Sequence, residues 1–397
     1  MTTRPLWLDP PMQTAGPLDG DTTADICVVG AGICGTAAAR ALARAGIDVA
    51  WVEADRIAYG ATGRNAGFIL QGTAERYDRA VGLMGRERAR RIHGWSLKNH
   101  ERMAATIAED EIDCGYRVRG SLQLAGSERE EAELIASHDL LRADGFDAEI
   151  VQGAALGDAL SQAGFRLGVV LPRDGELHPA AFVRGGARAA LQAGARLYEQ
   201  TRVTTIDARE PGAAVVHTER GDISCAVVVV CVNAWVGRLL PWFADKVDPV
   251  RGQMLATAPA PPLFDRPIYA DHGYDYWRQD PDGRVVLGGW RNLDPSTEVG
   301  YDDALHSGIQ ERMAAFLERF PGLSDVEVTH RWSGTMGFSR DGLPLVGPAP
   351  GSPAALVGAG FTGHGFGFGW LAGEALAAVA LEGQHPMATD LSPRRLA

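Results

Sequence analysis

The chain has 397 residues, 46% of them hydrophobic and 22% charged, a balance that fits a soluble globular protein and excludes a disordered, collagenous or coiled-coil one. At roughly 150 residues per domain the length suggests two or three domains, with core enough to do without disulfides or a structural metal. The formal net charge of −12 repels phosphate backbones and anionic lipid, which argues against nucleic acid or a membrane as partner. Glycine is over-represented, at 49 residues against an average near 7%. Many of these glycines cluster at 30–35, 60–67 and 351–369, the pattern of backbone that must come close to something. The five cysteines, Cys27, Cys34, Cys114, Cys225 and Cys231, contain no Cys-x-x-Cys pair and read as reduced cytosolic thiols. No apolar run approaches a membrane span. Residues 1–13 carry prolines where a signal peptide needs an apolar stretch, so the expected location is the cytoplasm.

In chain order, a proline-rich lead gives way to Asp-Ile-Cys-Val-Val-Gly (25–30), a short apolar run read as a buried strand. Residues 33–45 read as a helix stopped by Gly46, and 47–53 as the next strand. This is a βαβ unit within about thirty residues, the building block of parallel sheets. Residues 86–111 and 128–143 follow as helices, with a strand at 117–125 between them. The basic cluster Arg86 to Arg91 reads as a solvated helix face. Strand and turn occupy 168–177, then 179–193 is helical with Pro179 in its first turn. Strands are expected at 202–206, 214–218 and 223–232, the last holding Val-Val-Val-Val (227–230), a run suited to a fully buried parallel sheet. Residues 246–334 alternate short strands with Gly and Pro turns, around one helix at 307–320. A strand at 355–359, a glycine-rich turn and an apolar helix at 370–381 close the chain. The expected fold is α/β: a dinucleotide-binding core in discontinuous segments, with an inserted α+β domain.

Gly-Ala-Gly-Ile-Cys-Gly (30–35) satisfies Gly-x-Gly-x-x-Gly after a strand and at the start of a helix. Gly30 permits the tight turn, Gly32 lets backbone approach a pyrophosphate, and Gly35 lets helix and strand pack closely. The helix N-terminus supplies N–H donors to that pyrophosphate. Glu53 ends the second strand, where a carboxylate accepts from ribose hydroxyls. FAD and NAD both use this fingerprint. Further glycine-rich segments at 60–67 and 358–369 favour FAD, because an isoalloxazine needs support from distant parts of the chain.

With these segments in view, the sequence resembles the D-amino-acid oxidase superfamily of FAD enzymes, in the branch of glycine, sarcosine and gamma-glutamylputrescine oxidases. The resemblance rests on the fingerprint with Glu53, the Gly-Ala-Thr-Gly-Arg-Asn-Ala-Gly loop (60–67), and Val-Asn-Ala-Trp (232–235). It continues through Arg-Trp-Ser-Gly-Thr-Met-Gly (331–337), Asp-Gly-Leu-Pro-Leu-Val-Gly (341–347) and Gly-Phe-Thr-Gly-His-Gly (360–365). It implies an FAD-binding domain from 1–85, 178–245 and 335–397, and a substrate-binding domain from 86–177 and 246–334. The cofactor contacts it implies are Gly30, Ala31, Gly32, Ile33, Cys34, Gly35 and Glu53, then Ala61, Thr62, Arg64, Asn65, Ala66 and Gly67 beside the ring. Val203, Asn233, Ala234, Trp235, Met336 and Gly337 join them, with Gly360, Phe361, Thr362, Gly363, His364 and Gly365 at the pyrimidine end. There the N–H groups of 362–365 would stabilise the negative charge of reduced flavin.

Departures from the family matter too. Sarcosine oxidases attach FAD through a Cys aligned with 332–336, and this chain has none there, so FAD is expected to bind non-covalently. Gly367 stands where those enzymes hold the substrate carboxylate with a Lys, and Val286 and Leu287 leave no cation where they use one to help oxygen react. Glycine and gamma-glutamylputrescine oxidases also lack that cation, so an oxidase remains the reading, but not a sarcosine-specific one.

The substrate pocket is expected on paired strands, His-Gly-Tyr-Asp-Tyr-Trp-Arg (272–278) and Leu-Gly-Gly-Trp-Arg (287–291). Arg278 or Arg291 would clamp a carboxylate, with Tyr274, Tyr276, Trp290 and Trp332 as walls and His364 near the flavin. Strand side chains alternate faces, so one alternate set lines the pocket. The resemblance implies oxidation of the C–N bond of an amine or N-substituted amino acid to an imine, by hydride transfer to flavin N5 with O2 as acceptor, giving H2O2. The alternatives are a dehydrogenase serving a quinone or protein acceptor, and a non-catalytic flavin- or NAD-binding subunit. The sequence carries no signal of oligomeric state.

Overall fold

The computed structural model describes residues 3–397. Its centre is a six-stranded sheet in the order Arg196–Tyr198, Val49–Val52, Ile26–Val29, Val227–Val230, Ala355–Ala359 and Leu345–Pro348. All neighbours are parallel except the last pair. Alternation explains why its strands are apolar on both sides. Val28, Trp51 and Val229 face the helices Ile33–Arg44, Pro179–Gln192 and Gly365–Glu382. Cys27, Val29, Ala50, Val52, Val228 and Val230 pack the other way, toward a small sheet of Thr22–Thr23, Gly221–Cys225, Ala213–Thr218 and Val203–Glu210. Each such buried valine is worth about 1.5–3 kcal/mol.

A second sheet of eight strands runs Val328–Ser339, Val247–Pro259, Arg284–Gly289, Asp275–Gln279, Ile268–Ala270, Ser121–Ala125, Leu167–Leu171, Glu149–Gln152. One face buries Leu255, Trp277 and Leu287 under the helix Ser307–Leu317. The other turns Met254, Tyr276, Val286 and Trp332 toward the core of the first unit. The two expected substrate strands do pair, antiparallel, with Tyr276 opposite Gly288. A Cβ on Gly288 would lie 2.5 Å from the Tyr276 ring, so the glycine is what admits the tyrosine.

Three elements differ from expectation. The strand expected over 223–232 is two strands in two different sheets, Gly221–Cys225 and Val227–Val230. The strand expected over 117–125 breaks at Gly120, whose φ of +76° is left-handed. The last helix begins at Gly365, so the supposed glycine-rich turn is partly helix. Glycine costs about 1 kcal/mol in a helix interior, and contact is the compensation. A Cβ on Gly373 would lie 2.2 Å from the Cys34 carbonyl oxygen, and one on Gly367 would lie 2.6 Å from that of Leu70.

The helix Arg86–Glu109 runs along this final helix, where the Asn99 amide donates to Phe366 O (2.8 Å) and accepts from Leu371 N (3.0 Å). In the basic cluster Arg86, Arg90 and Arg91 are exposed as expected and Arg88 is half-buried; Arg86 pairs with Asp144 and Arg91 with Glu87. Among the described residues no helix is long and apolar enough to cross a membrane.

Candidate cofactor and substrate site

A cavity of about 750 Å³ lies between the parallel sheet and the eight-stranded sheet, within the roughly 300–1,000 Å³ usual for small-molecule sites. At its parallel-sheet end the three fingerprint glycines have different reasons to be glycine. Gly30 has φ +102°, and a Cβ there would lie 2.6 Å from Cys231 O. Gly35 would place a Cβ 1.9 Å from Gly30 O, so it is fixed by helix–strand packing. Gly32 is extended (φ −82°, ψ −174°) and caps the helix with no side-chain hydrogen bond. Its nearest neighbour for a Cβ is only the Thr62 hydroxyl, at 3.0 Å. Only that hydroxyl would have to give way, by a few tenths of an ångström, so what glycine chiefly leaves open at position 32 is space in the cavity.

Glu53 stands at the cavity wall one residue past its strand. Its Oε2 accepts from Ala31 N (2.7 Å) and its Oε1 from Asp55 N (2.9 Å). Burial nevertheless raises its pKa, only partly offset by those two donors. The remaining lone pairs are free for hydroxyl donors.

The 60–67 loop is tied from several sides. Thr62 Oγ1 accepts from Ile33 N (3.1 Å), and Asn65 folds back on Ala61 O, Thr62 O and Gly67 N. Arg64 donates to Tyr59 O (2.9 Å) and Ser333 O (3.0 Å) and pairs with Asp303 (2.9 Å). On the far side Asn233, left-handed at φ +46°, accepts from Gly360 N (3.0 Å). A Cβ on Gly337 would meet that same Asn233 oxygen at 2.6 Å. Of the N–H groups expected to face the flavin, Thr362 donates to Gly337 O (2.8 Å) and His364 to Phe361 O (2.9 Å). That leaves Gly363 and Gly365 for a ligand. Burial pushes the His364 imidazole down to about 4, so it is neutral at pH 7, and its Nδ1 is buried with no partner.

Of the residues expected around the cofactor, Gly30, Gly32, Ile33, Cys34, Glu53, Ala61, Thr62, Arg64, Asn65, Ala66, Val203, Asn233, Trp235, Met336, Phe361, Thr362, Gly363, His364 and Gly365 line the cavity. Ala31, Gly35, Gly67, Ala234, Gly337 and Gly360 stand behind that wall and shape it through backbone contacts.

The substrate residues need more correction. Tyr276 and Arg291 line the cavity. The Arg291 guanidinium lies over the rings of Tyr274 (4.6 Å) and Phe338 (5.1 Å), with no acidic partner among the described residues. Arg278 shares Tyr276's strand face but lies beyond the cavity edge, buried against Glu176 (3.0 Å) and Leu177 O (2.9 Å). It is not a substrate clamp. Trp290 is turned to the outer face against Phe316 (5.0 Å), and Trp332 is buried with its indole donating to Arg64 O (2.9 Å). Neither walls the pocket. Phe68, Met254, Tyr269 and Phe338 do, and alternation along 254–256 and 336–338 was the only signal for two of them.

An uncapped helix N-terminus, a carboxylate across from it, glycines that open the wall and an orphaned imidazole nitrogen form a donor and acceptor set that fits FAD. The site defines a dinucleotide-binding oxidoreductase. The family model for FAD dependent oxidoreductases, DAO, matches residues 25–379, and the chain belongs to that family: it is an FAD-dependent oxidoreductase.

The chain is 29% identical over 385 residues to gamma-glutamylputrescine oxidoreductase of Escherichia coli (strain K12), covering 91% of this chain and 84% of that one. To glycine oxidase of Bacillus licheniformis it is 27% identical over 374 residues, covering 92% and 95%. Among solved structures it is similar in fold to glycine oxidase from Geobacillus kaustophilus, with TM-score 0.79 at 23% identity, covering 93% and 98%.

Proposed function

We propose that the protein oxidises the C–N bond of an amine or N-substituted amino acid to an imine, with O2 as the acceptor and FAD held non-covalently. Gly32, Glu53, Thr62, Asn65, Gly363 and Gly365, which line the cavity, would hold FAD, and the bound flavin would supply hydride acceptance from the carbon beside nitrogen and a route for the two electrons to O2, giving H2O2 and an imine that water hydrolyses. The observation that carries the reading is Arg291, a cation with no acid beside it in the wall of the cofactor cavity. An arginine fork so placed binds a carboxylate in two hydrogen bonds and fixes the substrate's orientation. Tyr276, its hydroxyl resting on Met254 Sδ (3.3 Å) and its pKa raised by burial to about 12, stays neutral and offers a ring wall. His364, neutral as well, adds no charge that would repel or trap an amine. Orientation supplies most of the acceleration, and no side-chain base is required. The names of the relatives, one acting on an acylated diamine and one on glycine, support the substrate class.

We assign 1–85, 178–245 and 335–397 to cofactor binding and 86–177 and 246–334 to the substrate side. Aerobic turnover of an amine tests the acceptor: one H2O2 per imine-derived carbonyl is expected. Turnover that requires an added quinone or dye would replace O2 by another acceptor.

A further inference from the structure

The cavity does not stop at the aromatic wall of Phe68, Tyr269 and Tyr276. It continues past Leu70 between the helices Tyr77–Met84, Arg86–Glu109 and Glu128–Ala143. There its lining includes Ala80, Ile92, Leu124, Leu134, Leu141 and Leu171, all buried. Ala80, Leu134, Leu141 and Leu171 belong to a hydrophobic cluster of their own, apart from the helices of the cofactor unit. Protein interiors pack as tightly as organic crystals, and an unfilled apolar space forfeits dispersion contacts on every wall. Apolar space joined to a cofactor cavity is therefore room for a ligand.

Three of the polar groups on its wall are neutral or already partnered. Burial holds the His93 imidazole far below its ordinary value, to about 3, and the Tyr77 hydroxyl is spent on Asp144 (2.5 Å). Arg76, on the same wall, is paired with Glu133 (3.0 Å). Between this annex and the aromatic wall sits Gln71, 5% exposed. Its backbone N–H donates to Asp174 (2.8 Å), and its side-chain nitrogen is buried without a partner.

We infer that this annex seats an apolar substituent, aliphatic or aromatic, carried by the substrate on the far side of the carbon that is oxidised. The inference rests on the amine-oxidising reading above, and names the feature by which this enzyme would select among amines. Gln71 marks the passage and offers one amide donor to whatever links the substituent to the reacting carbon.

Two measurements on the FAD-loaded protein test it. The first needs no turnover: straight-chain carboxylates from acetate to octanoate are titrated against the flavin absorbance. The dissociation constant should fall about threefold to fourfold per methylene until the annex is filled. The second follows anaerobic flavin reduction by straight-chain amines and 2-amino acids of increasing length, where the long-over-short ratio of kcat/KM should rise likewise. Ala80→Leu, which fills the annex, should lower that ratio at least tenfold, and Ser137→Val serves if the first variant fails to fold. Affinity flat or falling with chain length, or a ratio indifferent to both variants, overturns the annex. If the carboxylates tighten with length but no amine bleaches the flavin, the annex stands and the amine reading falls.

Discussion

Gly32 separates what the cofactor demands from what the fold demands. Its backbone is extended, a conformation open to any residue, and a Cβ there would meet only the Thr62 hydroxyl at 3.0 Å. Exchanging glycine for alanine at a helix N-cap costs about 1 kcal/mol or less, so the Gly32→Ala apoprotein should melt close to the native one. Gly35→Ala should not, because its Cβ would sit 1.9 Å from Gly30 O, and forcing helix from strand costs at least about 1–3 kcal/mol. Cofactor affinity should respond differently. A methyl group in the space left for the pyrophosphate would lengthen at least one charge-assisted hydrogen bond, worth about 1.5–3 kcal/mol. At 1.4 kcal/mol per decade that is roughly 10- to 150-fold in Kd. Flavin fluorescence during titration of the apoprotein measures the affinity, and thermal melts of the same samples measure the fold. Gly32→Val should abolish flavin retention. Native FAD affinity in Gly32→Ala would refute the placement of the pyrophosphate, and an apoprotein as unstable as Gly35→Ala would refute the separation of roles.

Arg291→Met should raise KM for a carboxylate-bearing amine at least about tenfold, the loss of one charged hydrogen-bonded contact, with a smaller change in kcat. An unchanged KM would mean that the substrate has no carboxylate at this position. Arg278→Met should leave the flavin spectrum and KM alone and instead cost on the order of 3 kcal/mol in stability, because Glu176, 1% exposed, would keep only Arg117 as partner. A variant with native stability and a raised KM would return Arg278 to the pocket.

Below an ordinary His value of 6.5, the unfolded chain takes up a proton that the buried His93 refuses until about pH 3. Its contribution to stability is therefore present above pH 6.5 and lost as the pH falls through that window. His93→Phe, which keeps the contacts with Tyr77 and Phe146, should flatten the decline of Tm between pH 6.5 and about 4. An unchanged slope would contradict the burial argument.

The parts of the site legible in the sequence are those fixed by local spacing. Gly30, Gly32, Gly35 and Glu53 declare themselves because turn, helix start and second strand follow one another within a few dozen residues. What stayed hidden depends on partners far along the chain. Arg278 and Arg291 sit on neighbouring strands with similar surroundings in sequence, and only Glu176, 102 residues from Arg278, decides which one is a structural cation. The break at Ala226 is invisible because no Gly, Pro, Asn or Asp marks a turn between Ile223 and Val230, and only their different neighbours assign the two strands to different sheets. The helical glycines 367, 369 and 373 break the rule of helix propensity because Leu70, Ile33 and Cys34 press on them, which no local pattern announces. The annex is concealed for the same reason, being the meeting of three helices with two sheet strands.

The most direct test of the account is an absorbance spectrum of the yellow holoprotein under argon, taken before and after addition of amines and N-methyl amino acids. Loss of the oxidised-flavin bands on adding at least one of them, and their return with H2O2 on admitting air, is the predicted result. A protein that keeps its FAD and stays yellow with every amine offered would contradict it.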